Sequence, residues 1–301
     1  MEAESGRRSR LAVPAFAGGF LYLLSAIIIS TTLKNAPTVG LFQGLEPALH
    51  GTANPAVSPR TNEVKYISHH AFALIAGGAL NAVAVAVLTL VLLLLADATI
   101  FRRPQTWSAT RPLVLFGGFI VAVVTLLHWV VIAIETHKFA VGHDHTNTAV
   151  EGALSTGTAA SLVGYVALIT GLMLAVGMIA LMINTLRVGL LPRWMAMLGM
   201  FTAVLIVLPL GGAELQVVPA FWIVMMGILY SGRWPNGEPP AWKAGEARPW
   251  PSRAPAGRRP QPAAANAGGG VAAAEPAPAP VPVKASGSRK RRRKRGPGPR
   301  Q

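Results

Sequence analysis

The stretch from Pro112 to Glu151, PLVLFGGFIVAVVTLLHWVVIAIETHKFAVGHDHTNTAVE, decides how the rest of the chain is read. Its first part is an apolar run long enough to cross a bilayer, which takes about 20 residues of helix. His128 nevertheless lies in its second half and Glu135 near its end, and the run passes into His137, His143, Asp144 and His145. Ionisable groups in or beside a lipid-crossing segment are costly, so each requires a partner, a wet cavity or a role. The pattern predicts a helix over 112–136 and a polar loop over 137–155.

Composition points the same way. The 301 residues are 52% hydrophobic and 13% charged, with mean hydropathy +0.46, too apolar for an ordinary water-soluble domain. There is no cysteine, which excludes disulfides, thiolate metal sites and cysteine nucleophiles, so a metal would need His, Asp or Glu. The net charge of +15 is unevenly spread: 15 of the 27 Lys/Arg and 3 of the 12 Asp/Glu fall in residues 231–301, leaving 12 and 9 for the rest.

Six apolar runs are expected to be helices, over about 11–31, 70–95, 112–136, 156–184, 194–210 and 217–230. The first follows a polar segment, 1–10, with Arg7, Arg8 and Arg10. It is longer than the roughly 7–15-residue apolar core of a signal peptide, and the residues after the paired arginines do not continue a twin-arginine pattern, so it reads as an uncleaved anchor. Residues 34–68 read as loop. The second helix carries Asn81 and small residues spaced by four, Ala73/Gly77 and Gly78/Ala82/Ala86, which let a neighbouring backbone approach closely and mark it as central. Gly189 suits a helix end and Pro192 the start of the next helix, and Pro219 suits a first turn. Segments 1–10, 99–111 and 187–193 hold eight Lys/Arg, whereas 34–69, 137–155 and 211–216 hold four. The expected fold is an all-α, six-helix transmembrane bundle with both termini in the cytoplasm. The tail 231–301, rich in Pro, Ala, Gly and Arg, is expected to be disordered. Trp234, Trp242 and Trp250, eight residues apart, would lie at headgroup level, and the surrounding prolines argue against a helix there.

In this topology all seven histidines fall on the outer side. His128 and Glu135, seven apart, share a helical face with Thr125; His70 and Asn81, eleven apart, share another; and Thr158, Ser161 and Tyr165 form a polar stripe. Measured from the expected helix ends, His128 and Tyr165 sit roughly 12–15 Å inside. His70, Asn81, His128, Glu135, Ser161 and Tyr165 would thus line one outward cavity. The plain reading is that the loop histidines are solvated and His128 alone is held inside the bundle. A second is a divalent transition-metal site on His143, Asp144 and His145, with His128, Glu135, His69 or His70 as further donors. A third is a proton relay through His128 and Glu135. Haem ligation by His70 and His128 is disfavoured by their unequal depths.

Enzyme signatures such as G-x-S-x-G, H-E-x-x-H or a phosphate-binding loop are missing, and no broken-helix pairs mark an inverted-repeat transporter. The run Arg289, Lys290, Arg291, Arg292, Arg293, Lys294 and Arg295 helps hold the C-terminus inside. It also suits anionic lipid headgroups, with nucleic acid the weaker rival because no aromatic residue interleaves it. The expected activity is that of a sensor, accessory or transport protein binding a small cation or proton at the outer cavity. The alternative is a structural or assembly factor acting through its tail on lipid, nucleic acid or a protein partner.

The segment LRVGLLPRWMAMLG, Leu186 to Gly199, resembles a hinge found in uncharacterised bacterial multi-pass membrane proteins of the domain-of-unknown-function type, and the Ala/Gly/Arg/Pro usage resembles that of a high-GC actinobacterium. That resemblance implies a bacterial inner-membrane location and carries over no functional residue.

Overall fold

A computed structural model describes residues 2–40, 42, 49–51, 57–208, 213–235 and 237–250. Among them the regular structure is helical: α1 (Glu2–Lys34), α2 (Thr61–His69), α3 (Ala71–Arg102), α4 (Thr110–Val141), α5 (Asn147–Glu151), a π turn (Gly152–Thr156), α6 (Thr158–Val188), α7 (Arg193–Val207), α8 (Ala213–Tyr230) and α9 (Pro240–Ala244). The extended pairing among the described residues is an isolated parallel bridge between Val57 and His145. Helices α1, α3, α4 and α6 are long and apolar enough to cross a membrane, and α7 and α8 are shorter apolar helices.

The apolar helices pack in a closed circuit: α1 on α3, α3 on α4, α4 on α6, α6 on α7, α7 on α8, and α8 back on α1, with α3 and α6 also touching across it. Lipid offers no hydrophobic drive for helices to associate, so close backbone approach at small residues and interhelical hydrogen bonds must hold them. The Ser25 hydroxyl donates to the carbonyl of Gly77 at 2.7 Å, joining α1 to α3. A Cβ on Gly19 would lie 2.8 Å from the carbonyl of Ala220, so α1 and α8 meet backbone to backbone. Leu88, Leu92 and Leu95 of α3, Leu174, Met178 and Leu181 of α6, and Trp222 of α8 are fully buried between them. The expectation that Gly77 and Gly78 mark a central helix is met: Gly77 lies beneath Ile29 of α1, and Gly78 beneath Trp129 of α4.

One end of the circuit is rich in arginine. Residues 231–235 and 237–250 fold back over it. After a turn with Gly232 at φ +74°, Pro240 opens α9, where its missing N–H costs nothing, and Gly245 at φ +71° closes it. Trp242 is buried there between two guanidinium groups, with Arg8 5.0 Å and Arg102 5.1 Å from its ring centre, and its indole N–H donates to the carbonyl of Leu190 at 2.9 Å. Arg102, its side chain fully buried, donates to Glu4 (2.7 and 3.2 Å), to the carbonyl of Ala98 (3.0 Å) and to that of Ala241 (3.1 Å). Arg8 pairs with Glu238. The Trp250 indole donates to Leu191 and the backbone N–H of Arg248 to Val188, each at 2.9 Å.

Several boundaries expected from the sequence are corrected. Residues 231–235 and 237–250 are an ordered strap with a short helix, because the Trp242 and Trp250 indoles find carbonyl partners and Trp234 stacks on Trp194; the basic run 289–295 lies outside the described residues. Helix α1 begins at Glu2 rather than Leu11, since Glu4 and Arg8, one turn apart, reach Arg102 and Glu238. The expected loop 34–68 contains α2, which buries Thr61, Val64 and Ile67 at intervals of three. Helix α4 runs on to Val141, and 147–156 is helical rather than loop. Helix α8 starts at Ala213, so Pro219 lies inside it.

Candidate functional site: a cleft at the histidine end

The opposite end is built on the overrun of α4. Phe139 is buried with Val64 of α2, Val150 of α5 and Ala153 of the π turn in a small apolar cluster that holds these elements together. A second cluster, Ile67, Leu74 and Ile132, ties α2 to α3 and α4. With Phe139 facing inward, Glu135 and Lys138 stand on the rim, paired at 2.9 Å.

After α4 the chain turns at Gly142, whose N–H donates to the carbonyl of Lys138 at 2.9 Å. Asp144 then accepts the N–H of Thr146 at 3.0 Å, and the Thr146 hydroxyl caps α5 by accepting the N–H of Ala149 at 3.4 Å. The carbonyl of His145 accepts the N–H of Ser58 at 2.7 Å, and its ring lies 5.0 Å from that of Phe139. His145 Nδ1 is buried and has no hydrogen-bond partner among the described residues. The π turn closes with the N–H of Gly157 on the carbonyl of Gly152 at 3.1 Å. A Cβ on Gly157 would sit 2.5 Å from that same oxygen, so glycine is needed there for the turn to close. Such turns are rare in helices and concentrate at functional sites.

Between the end of α4 and this turn lies an open cleft of about 370 Å³, lined among others by Glu135, Lys138, His143, Asp144, Gly152 and Gly157. It presents two carboxylates, an ammonium and an imidazole beside glycine backbone. That donor set suits binding of a charged molecule.

The arrangement divides the residues singled out from sequence. Glu135, His143 and Asp144 meet at the cleft, whereas the other members of the expected cavity do not join them. His128 is exposed, its ring edge-on to that of Trp129 at 5.2 Å, and Tyr165 is 68% exposed. The expectation that they face inward is corrected: helical phase gives a shared face, but this face points away from neighbouring helices. Glu135 takes Lys138 rather than His128 as its partner. The His70 ring lies against the carbonyl of Tyr66 (Nδ1 to oxygen 2.9 Å) and stacks on the Tyr66 ring. Asn81 is half-buried in α3. The Ser161 hydroxyl donates to the carbonyl of Ser155 at 3.4 Å, joining α6 to the π turn. The expected metal set is also corrected. Among the described residues no three His, Asp or Glu side chains are grouped to hold an ion; Asp144 is turned to its own backbone and His145 to Phe139.

No family model, curated protein or solved structure matches this chain.

Sequence reasoning missed Lys138, Gly152 and Gly157 as parts of the site. The signal available was the pair of glycines five apart, which is the spacing a π hydrogen bond needs. It also missed the anchoring Phe139, whose place three residues after Thr136 marks the same buried face.

The Asp144 carboxyl is held below the usual aspartate range, chiefly by the Thr146 N–H and then by its hydroxyl. A group whose folded pKa is depressed stabilises above its unfolded value of about 4 and loses that contribution as pH falls through the folded one. Hydrogen exchange over 144–150, corrected for intrinsic rates, is therefore expected to speed up on acidification below the ordinary aspartate range. Asp144→Asn should be fast already at neutral pH and lack the acid-dependent increment.

Proposed function

We propose that this chain is a multi-pass protein of a bacterial inner membrane, crossed by α1, α3, α4, α6, α7 and α8 with both termini in the cytoplasm, and that it serves as a sensor or accessory protein taking a small organic cation in the outer cleft. Charge supports the sidedness: the helix ends and short turns at the arginine-rich end carry Arg7, Arg8, Arg10, Arg102, Arg103, Arg111, Arg187 and Arg193, against Lys34, Arg60, Lys65 and Lys138 at the other. Aromatic placement supports the depth. Arg111 to His128 is 17 residues of one helix, about 26 Å at 1.5 Å per residue. A hydrocarbon layer of roughly 30 Å starting at Arg111 then leaves His128 and Trp129 only about 3–5 Å beneath its outer edge, within reach of the headgroups, and Tyr165, about 33 Å along α6 from Arg187, at headgroup level. Their exposure costs little there, and the last turns of α4 stand clear of the bilayer.

The observation that carries the ligand is the gathering of Glu135, Asp144 and His143 around a space too wide for a bare ion and near the lower size limit of small-molecule pockets, about 300 Å³. Sensing fits better than transport because the packed interior is apolar. Its buried hydroxyls at Thr89, Thr99 and Thr185 donate to carbonyls of their own helices, and those of Ser25 and Tyr230 are taken up by backbone carbonyls of α3.

Calorimetric titration of the purified full chain with putrescine, choline and zinc tests this. Saturable binding of an organic cation is expected, weakened about tenfold or more by Glu135→Gln or Asp144→Asn, as for loss of a charge-assisted contact. Zinc binding alone would replace this reading with a metal site. No saturable heat from any of the three would reject the cleft as a cation site. Sidedness is checked separately by labelling His143→Cys and Lys243→Cys in intact cells, with only the first expected to react with an impermeant reagent.

A further inference from the structure

The arginine-rich end carries side chains that neither the helix packing nor the cleft uses. Arg187 and Arg193 flank the turn from α6 to α7. Arg248 lies over that turn, held by its backbone bond to Val188. Arg233 adjoins Trp234, whose ring stacks on Trp194 at 5.9 Å and 21°. All four arginines are exposed, and none has an ion pair or side-chain hydrogen bond among the described residues. Of the acids in the strap, Glu238 is taken by Arg8; Glu246, near Arg248, leaves the patch at a net charge of about three. The indoles of Trp242 and Trp250 donate to backbone carbonyls, whereas those of Trp194 and Trp234 have no acceptor among the described residues. Trp194 is 43% exposed.

We propose that this arginine–tryptophan patch binds the anionic phospholipid headgroups of the adjoining leaflet. The proposal rests on the reading that the apolar helices cross a bilayer, and it is independent of the cleft. Guanidinium forks match phosphate oxygens two at a time, and indole N–H groups at headgroup level donate to phosphate or glycerol oxygens. Lipid fits better than nucleic acid because Trp194 is the second residue of apolar helix α7, so the patch starts where the apolar surface stops. One face of Trp194 is also covered by Trp234, which leaves poor purchase for a stacked base.

The test uses the full chain in phosphatidylcholine vesicles containing a minor fraction of brominated phosphatidylglycerol or, in parallel, brominated phosphatidylcholine, with tryptophan quenching as the readout. The anionic quencher is expected to be preferred. The preference should fall about fivefold for each arginine neutralised in R187Q/R193Q/R233Q/R248Q, and partway in R193Q/R233Q, which serves if the fourfold variant does not fold. Replacing the cations of 289–295 by glutamine should leave it intact. The proposal is overturned if a folded variant keeps the parental preference, if neutralising 289–295 abolishes it, or if a short oligonucleotide displaces the lipid. A chain that fails to enter vesicles at all would instead refute the bilayer reading.

Discussion

Replacing Trp242 by alanine is expected to detach residues 231–250 from the arginine-rich end and to lower the unfolding free energy by about 3–5 kcal/mol, the range for truncating a large buried aromatic. The indole is 7% exposed. It fills the gap between Arg8 and Arg102, touches the Tyr230 ring edge-on at 6.3 Å, and satisfies the Leu190 carbonyl just beyond the end of α6. Its removal also leaves the buried Arg102 facing a void. Denaturant titration in detergent measures the loss, and trypsin cleavage at Arg233 and Lys243 should rise with it. Trp242→Phe keeps most of the packing and gives up one hydrogen bond, a loss of about 1 kcal/mol. Unchanged unfolding and unchanged protease resistance in the alanine variant would show that the strap does not depend on this ring.

Gly117→Val should be the most damaging change within the packed helices. A Cβ at this position would meet the backbone nitrogen of Leu174 at 2.6 Å and its Cα at 3.0 Å, so no side-chain rotamer can relieve the clash and α4 must move away from α6. Gly177 repeats the contact from the other helix, 3.1 Å from the backbone nitrogen of Val114. The expected cost is at or above the upper end of the overpacking range, about 3 kcal/mol. Gly164→Val is the control, because nothing lies within 4 Å of a Cβ there. Equal melting temperatures for the two variants would contradict the close approach of α4 and α6.

The long apolar runs of α1, α3, α4 and α6 are legible because lipid-crossing length and composition are local properties. Their ends are not, because they depend on partners far along the chain. Helix α1 reaches back to Glu2 for Arg102, and α4 runs on to Val141 because Phe139 is buried by Val64 and Val150. The strap is hidden by its prolines and glycines: three tryptophans eight apart are visible in the sequence, but only the fold shows two of them bonded to the turn after α6. At the cleft, Glu135, His143 and Asp144 are legible as a polar cluster following a span. His128 and Tyr165 mislead, because a helical wheel says which residues share a face and not which way that face looks. The π turn has no compositional mark beyond its two glycines.

That the helices form a closed circuit also bears on how the molecule can be made. Helix α1 is synthesised well before α8, yet α8 is the neighbour that covers Gly19 and Phe16. Until then that flank has no native partner, so the nascent chain must be shielded there by lipid or an insertion factor while the intervening helices assemble. A ribosome stalled before α8 would therefore release a protein in which α1, though made well before the stall, is still unfinished.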